Sequence, residues 1–523
     1  MPRSAAISVL SLLLATLLAR AERPNILLLF ADDLGRYASA YADPKAPSPN
    51  DLVSTPVFDR IASEGALFTN AFVSAPSCTP SRASLYTGRH FFRNGSHSQL
   101  HHRWKKGAPD PFDEVTGMPN LLAGAGYHVG WTHKWHLRAS LIGGKGNHYA
   151  KHGRTVNTYS QSVSAAEDPD AMREKILGEV RGNFRDFLAK RKKDQPFFYS
   201  FNPTNPHRKW TVGSGKKLWG LDPDQLEGKL PPFLHDSAIN REDMADYLGE
   251  GMAFDAACGV ILEELRKTGE YENTLICITG DHGAPGFPRG KCNVYDFGSR
   301  VLLALRWPET IAGGRRVEVP VSLIDLAPTF LAAAGIDAEK GTNGDNLLPA
   351  LARGAKDDKL RGWALIGREV HVGSAREGYL PYPVRALRTP EFLYVMNLKP
   401  DRWPMGDPKA VTETEAPPFK ELANNTRIAF ADLDAAPAKA WLVEARHEEE
   451  MAPYVAWAWG KRPPEELYDL RKDPHQVKNL AADENYEEVR EKLRKQLMDE
   501  LTANKDPRIG DAFDKPPYCI PSR

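Results

Sequence analysis

The sequence predicts an α/β fold built on a large, mostly parallel sheet flanked by helices, and three observations predict it. The run Asn-Ile-Leu-Leu-Leu-Phe-Ala at 25–31 is apolar without alternation, as a strand buried on both faces reads. Similar runs at 196–201, 274–279 and 301–305 alternate with helix-like segments. Polar side chains follow several of these strands directly: Asp32-Asp33, Lys134 and His136, His207, and Asp281-His282. Ligands of open α/β sheets bind outside the carboxyl ends of the strands, so these four distant segments are expected to meet at one sheet edge.

Taken in order, residues 1–21 read as a secretory signal peptide. Arg3 supplies the positive start, Ile7 to Leu18 the apolar run, and Ala19-Arg20-Ala21 an A-x-A cleavage pattern. The run is short for a bilayer span and no later stretch reads as one, so export is expected rather than stable membrane insertion. The destination is then periplasmic or extracellular, or lysosomal in a eukaryote. A helix is expected over 56–62, with Thr55 as cap, Pro56 in the first position and Gly65 beyond. A second begins with Thr79 as cap and Pro80 first, and stops at Gly88. A short helix at 119–125 precedes a strand at 128–132, and a charged helix covers 170–193. Met244, Leu248, Ala257, Val260, Ile261 and Leu265 mark a long amphipathic helix over 241–268, and 322–334 form a helix ended by Gly335.

Proline and charge increase after about Asp357. Residues 384–388 and 391–396 look like antiparallel strands, 466–470 like another, and 486–504 like a terminal helix. The expected division is a signal peptide at 1–21, a catalytic domain at 22–360, and a smaller α+β domain with an antiparallel sheet at 361–523. The chain has 523 residues, more than one hydrophobic core usually serves.

Lys and Arg total 68, equal to Asp and Glu at 68, so no global field recruits a polyanion and no nucleic-acid partner is expected. Recognition of an acidic substrate must rest on local groups, such as Arg103, Lys105 and Lys106. Five cysteines are no disulfide framework for this length. Cys258 and Cys277 read as buried thiols, while Cys292 and Cys519 are open to pairing or to staying free. Asn94-Gly95-Ser96 and Asn424-Asn425-Thr426 match glycosylation acceptors.

Cys78 stands at the start of a short helix, where unpaired N–H groups and the helix dipole favour a bound anion. Arg82, about one turn in, can point back at the same place. On these grounds alone, catalysis and plain packing are balanced for this cysteine. Asp32, Asp33 and Asp281 make a hard-oxygen set suited to Ca²⁺ or Mg²⁺, although an isolated Asp-Asp pair more often caps a turn.

The residue pattern adds more. Cys78-Thr79-Pro80-Ser81-Arg82, followed by Ala-Ser-Leu-Tyr-Thr-Gly, resembles the signature of type I sulfatases. Asn25 to Gly35, including Asp32-Asp33, resembles the opening of that family. Thr279-Gly280-Asp281-His282-Gly283 resembles its second metal segment, with His282 where many members carry asparagine. Gly126 to Leu137 is similar to its Gly-Lys-Trp-His-Leu segment, with His133 in place of the usual glycine.

The resemblance implies an alkaline-phosphatase-like fold, a divalent cation held by Asp32, Asp33, Asp281, His282 and residue 78, and oxidation of Cys78 to formylglycine by a maturation enzyme. A hydrated aldehyde has two hydroxyls, one to attack sulfur and one to lose a proton and expel sulfate. The resemblance further implies that Lys134 and Lys291 contact sulfate, His136 takes the proton during sulfate release, and His207 protonates the leaving group.

Within the family, the sulfamidase (heparan N-sulfatase) subgroup shows the most shared detail. It includes Asn205-Pro206-His207-Arg208, Tyr382-Pro383-Val384-Arg385-Ala386, Leu467-Tyr468-Asp469-Leu470 and the tail Tyr518-Cys519-Ile520-Pro521. Arg208, Glu369 and His371 are candidate sugar contacts. The expected function is hydrolysis of a sulfate ester or sulfamate on a carbohydrate such as a heparan-type glycan. A phosphatase or phosphonate monoester hydrolase of the wider superfamily and a non-catalytic glycan-binding protein are the alternatives. Oligomeric state is not legible.

Overall fold

Alternate residues of the strand Asn25–Ala31 (β1) part to opposite faces of the main sheet. Leu27 and Leu29 pack with Val180, Phe184, Leu248 and Ile261, whereas Ile26, Leu28 and Phe30 pack with Ala83, Leu85 and Phe330. The unbroken apolar run therefore belongs to two hydrophobic layers at once. The computed structural model describes residues 23–520 except 102, 103, 135, 139, 140 and 142–144. The signal-peptide segment and Arg103 lie outside the described residues.

The sheet contains β1, Ala66–Phe72 (β2), His128–His133 (β3), Phe197–Asn202 (β4), Thr274–Gly280 (β5), Arg300–Arg306 (β6), Arg315–Val317 (β7) and Val321–Ser322 (β8). Its order is β3-β4-β1-β5-β6-β2-β7, with β8 also on β2. β3, β4, β1 and β5 are mutually parallel; β6 opposes both of its neighbours. The chain leaves β5 at one sheet edge, forms the 281–299 segment there and returns through β6, so no crossover reverses it.

Helices flank both faces: Pro56–Glu64 (α1), Cys78–Thr87 (α2), Pro169–Ala189 (α3), Ala238–Lys267 (α4) and Leu326–Ala333 (α5). The expected helix at 322–334 opens with a 3₁₀ turn, Leu323–Asp325, before α5. Thr55 does not cap α1 with its side chain; Asp255 of α4 accepts from Val57 N (3.1 Å) and Phe58 N (2.8 Å) instead. Asp255 thus satisfies two N–H groups that lack helical partners.

A second, four-stranded antiparallel sheet has the order β12-β11-β10-β9: Glu465–Asp469 (β12), Phe392–Asn397 (β11), Val384–Arg388 (β10) and Ala364–Arg368 (β9). The terminal helix Glu487–Ala503 (α6) lays Leu493, Leu497 and Leu501 on one face with Leu365, Leu387 and Leu467. The other face packs Ile366, Val384 and Leu393 against Phe72, Val294 and Tyr295 of the first unit. That contact brings residues beyond 361 to the edge of the main sheet. No helix among the described residues is long and apolar enough to cross a membrane. All five cysteines are buried free thiols, so Cys292 and Cys519 are unpaired. Asn94 is fully buried and hydrogen-bonded to Ser84 and Thr87, which closes it to a glycan in the folded state. Asn424 is exposed.

Candidate active site

The carboxyl ends of β1, β3, β4 and β5 carry Asp32-Asp33, Lys134, Asn202 and Asp281-His282 to one edge. Successive side chains of a strand point to opposite faces, and the chain breaks that alternation at Asp33, which adopts φ +65°. The turn lets both carboxylates gather, and donor atoms of Asp32, Asp33 and His207 lie within 4.8 Å of one another. In the segment after β5 two glycines are sterically required. A Cβ on Gly280 would lie 2.0 Å from Leu34 O, and one on Gly283 2.0 Å from Phe297 O.

α2 begins at Cys78 itself, with extended Ser77 before it, rather than with Thr79 as cap. Ser77 Oγ meets His371 Nδ1 at 2.8 Å, and Thr79 Oγ1 donates to the His136 carbonyl at 3.3 Å. Gly88, at φ +65°, ends the helix as expected. Every residue of α2 is buried, so the nucleophile candidate is anchored from all sides.

Cys78 Sγ stands 3.3 Å from Lys134 Nζ, 3.3 Å from His282 Nε2 and 3.7 Å from Asp33 Oδ1. Donor atoms of Asp33, Cys78, Asp281 and His282 all lie within 4.8 Å of one another, and all four residues are buried. Burial, with the Asp32 carboxylate, pushes the Cys78 thiol up. Burial alone would lower the His282 imidazole; the Asp281 and Asp33 carboxylates outweigh it and hold it well above its ordinary value. Lys134 also pairs closely with Asp32.

Arg82 does not face open space. It donates through Nε to Asp281 (2.9 Å) and through Nη2 to Asp32 (3.1 Å), Nη1 meets Asn202 Oδ1 (3.3 Å), and the guanidinium lies over Phe30. It therefore holds two carboxylates in position. Lys291 Nζ reaches Asp33 (2.9 Å) and Asp434 (3.2 Å). Burial would raise the Asp434 carboxyl, yet Lys291 and His371 hold it down at about 2. His136 is exposed at the mouth; desolvation and the Lys134 charge depress it to about 3. The neighbouring cation and the depressed value both describe a neutral ring at pH 7.

Three carboxylates and an imidazole converging in a buried pocket fit a divalent cation: hard oxygens dominate, and one softer nitrogen is tolerated. Asp32, Asp33, Asp281 and His282 are the residues that would hold it.

The candidate sugar contacts are each engaged within the protein. The Arg208 guanidinium grips Asp243 through both terminal nitrogens (2.8 and 2.7 Å) and donates through Nε to Pro285 O. Glu369 is fully buried and accepts from Arg385 (2.8 Å) and Arg508 (2.5 Å). His371 is buried behind Ser77 and depressed to about 3 by burial and then by Lys291. Lys105 and Lys106 are exposed. Sequence reasoning missed Asn202, Tyr247 and Asp434. Asn202 ends β4 and obeys the strand-end rule used for the others. Tyr247 Oη, which donates to Asp33 O (2.9 Å) and accepts from Gly35 N (2.9 Å), gave no signal inside a helix. Asp434 lies in irregular chain with no pattern around it.

Comparison with known proteins bears on this geometry. A family model for sulfatases matches residues 24–336. N-sulphoglucosamine sulphohydrolase from Homo sapiens is 31% identical over 531 aligned positions, covering 95% of this chain and 94% of that protein. A structure solved in complex with its substrate D-glucosamine-2-N,6-O-disulfate has a TM-score of 0.60 and 19% identity, covering 92% of this chain and 98% of that one. The phosphonate monoester hydrolase of Agrobacterium radiobacter has a TM-score of 0.58 and 17% identity, covering 93% and 97%. At these identities the two structures share the fold.

Proposed function

The chain belongs to the sulfatase family and is a sulfuric ester hydrolase, and from that premise we propose that it removes sulfate from a carbohydrate of the heparan type, with N-sulfated glucosamine as the favoured group. The observation that carries this reading is the buried meeting of Cys78 with Lys134, His282 and Asp33. The sulfamate preference rests on the human relative, whose similarity covers 95% of the chain.

In this reading residue 78 is oxidised to formylglycine by a maturation enzyme, and its hydrate supplies the attacking hydroxyl and a second hydroxyl to restore the carbonyl. A Ca²⁺ or Mg²⁺ held by Asp32, Asp33, Asp281 and His282 supplies Lewis acidity toward the sulfuryl oxygens. The remaining work belongs to the chain's own groups. Lys134 and Lys291 place positive charge around position 78 and offset the sulfate's charge. Arg82 keeps Asp32 and Asp281 in register. The neutral His136 ring accepts a proton at the mouth, and His207, beside Asp32 and Asp33, delivers one to the departing oxygen or nitrogen. The amino-terminal segment supports export. The phosphonate hydrolase alternative rests on fold alone.

The test is sulfate release by the matured protein from defined saccharides, one N-sulfated and one O-sulfated. Release from the N-sulfated sugar is expected, together with loss of sulfur from the Cys78 peptide by mass spectrometry and no turnover by Cys78→Ala. Activity on O-sulfated sugars alone removes the sulfamate assignment, and full activity of Cys78→Ala removes the mechanism.

A further inference from the structure

Beside the loop that follows Asp33 lies a cavity of about 220 Å³ to which none of the catalytic candidates contributes. Two guanidiniums line it, Arg36 and Arg300, together with Tyr37, Lys229, His475 and one carboxylate, Asp296. Arg36 Nε is shielded from solvent and has no hydrogen-bond partner. Among the described residues no carboxylate pairs with Arg36, whose guanidinium instead lies 4.9 Å over the Tyr41 ring.

Arg300 fares little better. It reaches Asn70 Oδ1 at 3.2 Å and Asp296 at 3.4 Å. Asp296 is already held by Arg388 through Nε (3.0 Å) and Nη2 (3.2 Å). Arg300 and Arg388 therefore share one carboxylate, and Arg36 has none among the described residues. Lys229 adds a further cation on the wall, 4.0 Å from Asp51. Burial, and then the charge of Arg36, lowers Arg300 to about 9, and Asp296 only partly opposes them.

Buried charges are normally paired, because desolvating a lone ion is costly. An excess of partly buried positive charge around an open cavity is compensated by an anion entering it. Guanidinium forks match oxyanions with paired N–H bonds, which selects sulfate-like groups over halide. We propose that the Arg36–Arg300 cavity is an oxyanion-binding site, distinct from the catalytic centre, that takes a sulfate group, free or carried on an acidic glycan. The site touches the metal-ligand loop through Tyr37, whose ring packs edge-on at 5.7 Å against Tyr247, the residue bonded to Asp33.

The experiment is equilibrium dialysis of radiolabelled sulfate against the full-length protein, with selenate-soaked crystals read by anomalous scattering. Two classes of site are expected in the unsubstituted protein. Arg36→Gln and Arg300→Gln should each weaken one class at least tenfold and leave the other, and Arg36→Lys should retain part of the binding. Selenium density in the cavity is expected alongside that at the catalytic site. Displacement of the labelled ion by a heparin-derived tetrasaccharide identifies glycan sulfate as the occupant; displacement only by inorganic sulfate identifies the free ion, and either keeps the site. A single class of binding, selenium density only at the catalytic site, or an unaltered second class in folded Arg36→Gln overturns the proposal. Should the variants fail to fold, the selenium map of the unsubstituted protein decides.

Discussion

Lys291 bridges two carboxylates from distant parts of the chain: its Nζ stands 2.9 Å from Asp33, after β1, and 3.2 Å from Asp434, in the region beyond the main sheet. Asp33 is fully buried, whereas Asp434 is partly open. Lys291→Ala strips a partner from a buried carboxylate and is expected to cost about 3–5 kcal/mol of stability. It should also lower kcat/KM by about 10²–10³, the usual loss for a group that stabilises developing charge. Asp434→Asn leaves Asp33 paired and should cost roughly 1 kcal/mol. Urea melts and steady-state kinetics check the pair; equal effects of the two substitutions would deny Lys291 its role at Asp33.

Chelation tests the donor set of Asp32, Asp33, Asp281 and His282. Dialysis against EDTA should abolish sulfate release and lower the Tm, and added Ca²⁺ or Mg²⁺ should restore both. A cation present at a hundred times its Kd stabilises by ~2.7 kcal/mol, which is readily seen in a thermal melt. Melting and turnover that ignore both chelator and metal would remove the cation from the mechanism.

Glu369 sits among Arg385, Arg508 and, through Arg385, Asp506, all buried. Glu369→Ala leaves two guanidiniums short of charge and is expected to destabilise by about 3–5 kcal/mol. KM for a sulfated sugar should barely move in the protein that remains folded. A large rise in KM with unchanged stability would return Glu369 to the substrate.

His133 occupies a left-handed position, φ +63°, where the sulfatase pattern carries glycine. The backbone keeps a shape glycine favours, and the imidazole is buried with both nitrogens unpartnered. His133→Gly relieves roughly 1–2 kcal/mol of left-handed strain and gives back about 0.4–1 kcal/mol in unfolded-chain entropy, so it should be nearly neutral at pH 7.5. Burial lowers His133 from 6.5 to about 3, so the folded protein resists its protonation. Its contribution is fully present above pH 6.5 and is lost as pH falls from there toward 3. The variant escapes that loss, so its advantage should grow by up to ~1.4 kcal/mol per pH unit below 6.5. Denaturant melts of both proteins at pH 7.5 and 5 measure it; a constant difference would contradict the burial argument.

Much of the architecture was legible because its signals are local. The run at β1, Gly88 at the end of α2 and the leucines of α6 each state a burial or a turn within a few residues. The antiparallel course of β6 was not legible, since strand direction depends on where the next connection returns. The convergence of Asp32, Asp33, Lys134, His207, Asp281 and His282 followed from their strand-end positions, and the structure brings them together. Asn202 obeyed the same rule and was overlooked.

By itself, the sequence determined which residues have the chemistry: a cysteine at a helix start and carboxylates after buried strands. Only the tertiary structure decided which charged groups remain free to use it. Arg208 is claimed by Asp243 and Glu369 by two arginines, while Asp434 reaches the centre from far along the chain. The reason is that the energy of a buried charge is set by its nearest counter-charge and its distance from water, and folding brings those neighbours from anywhere in the chain.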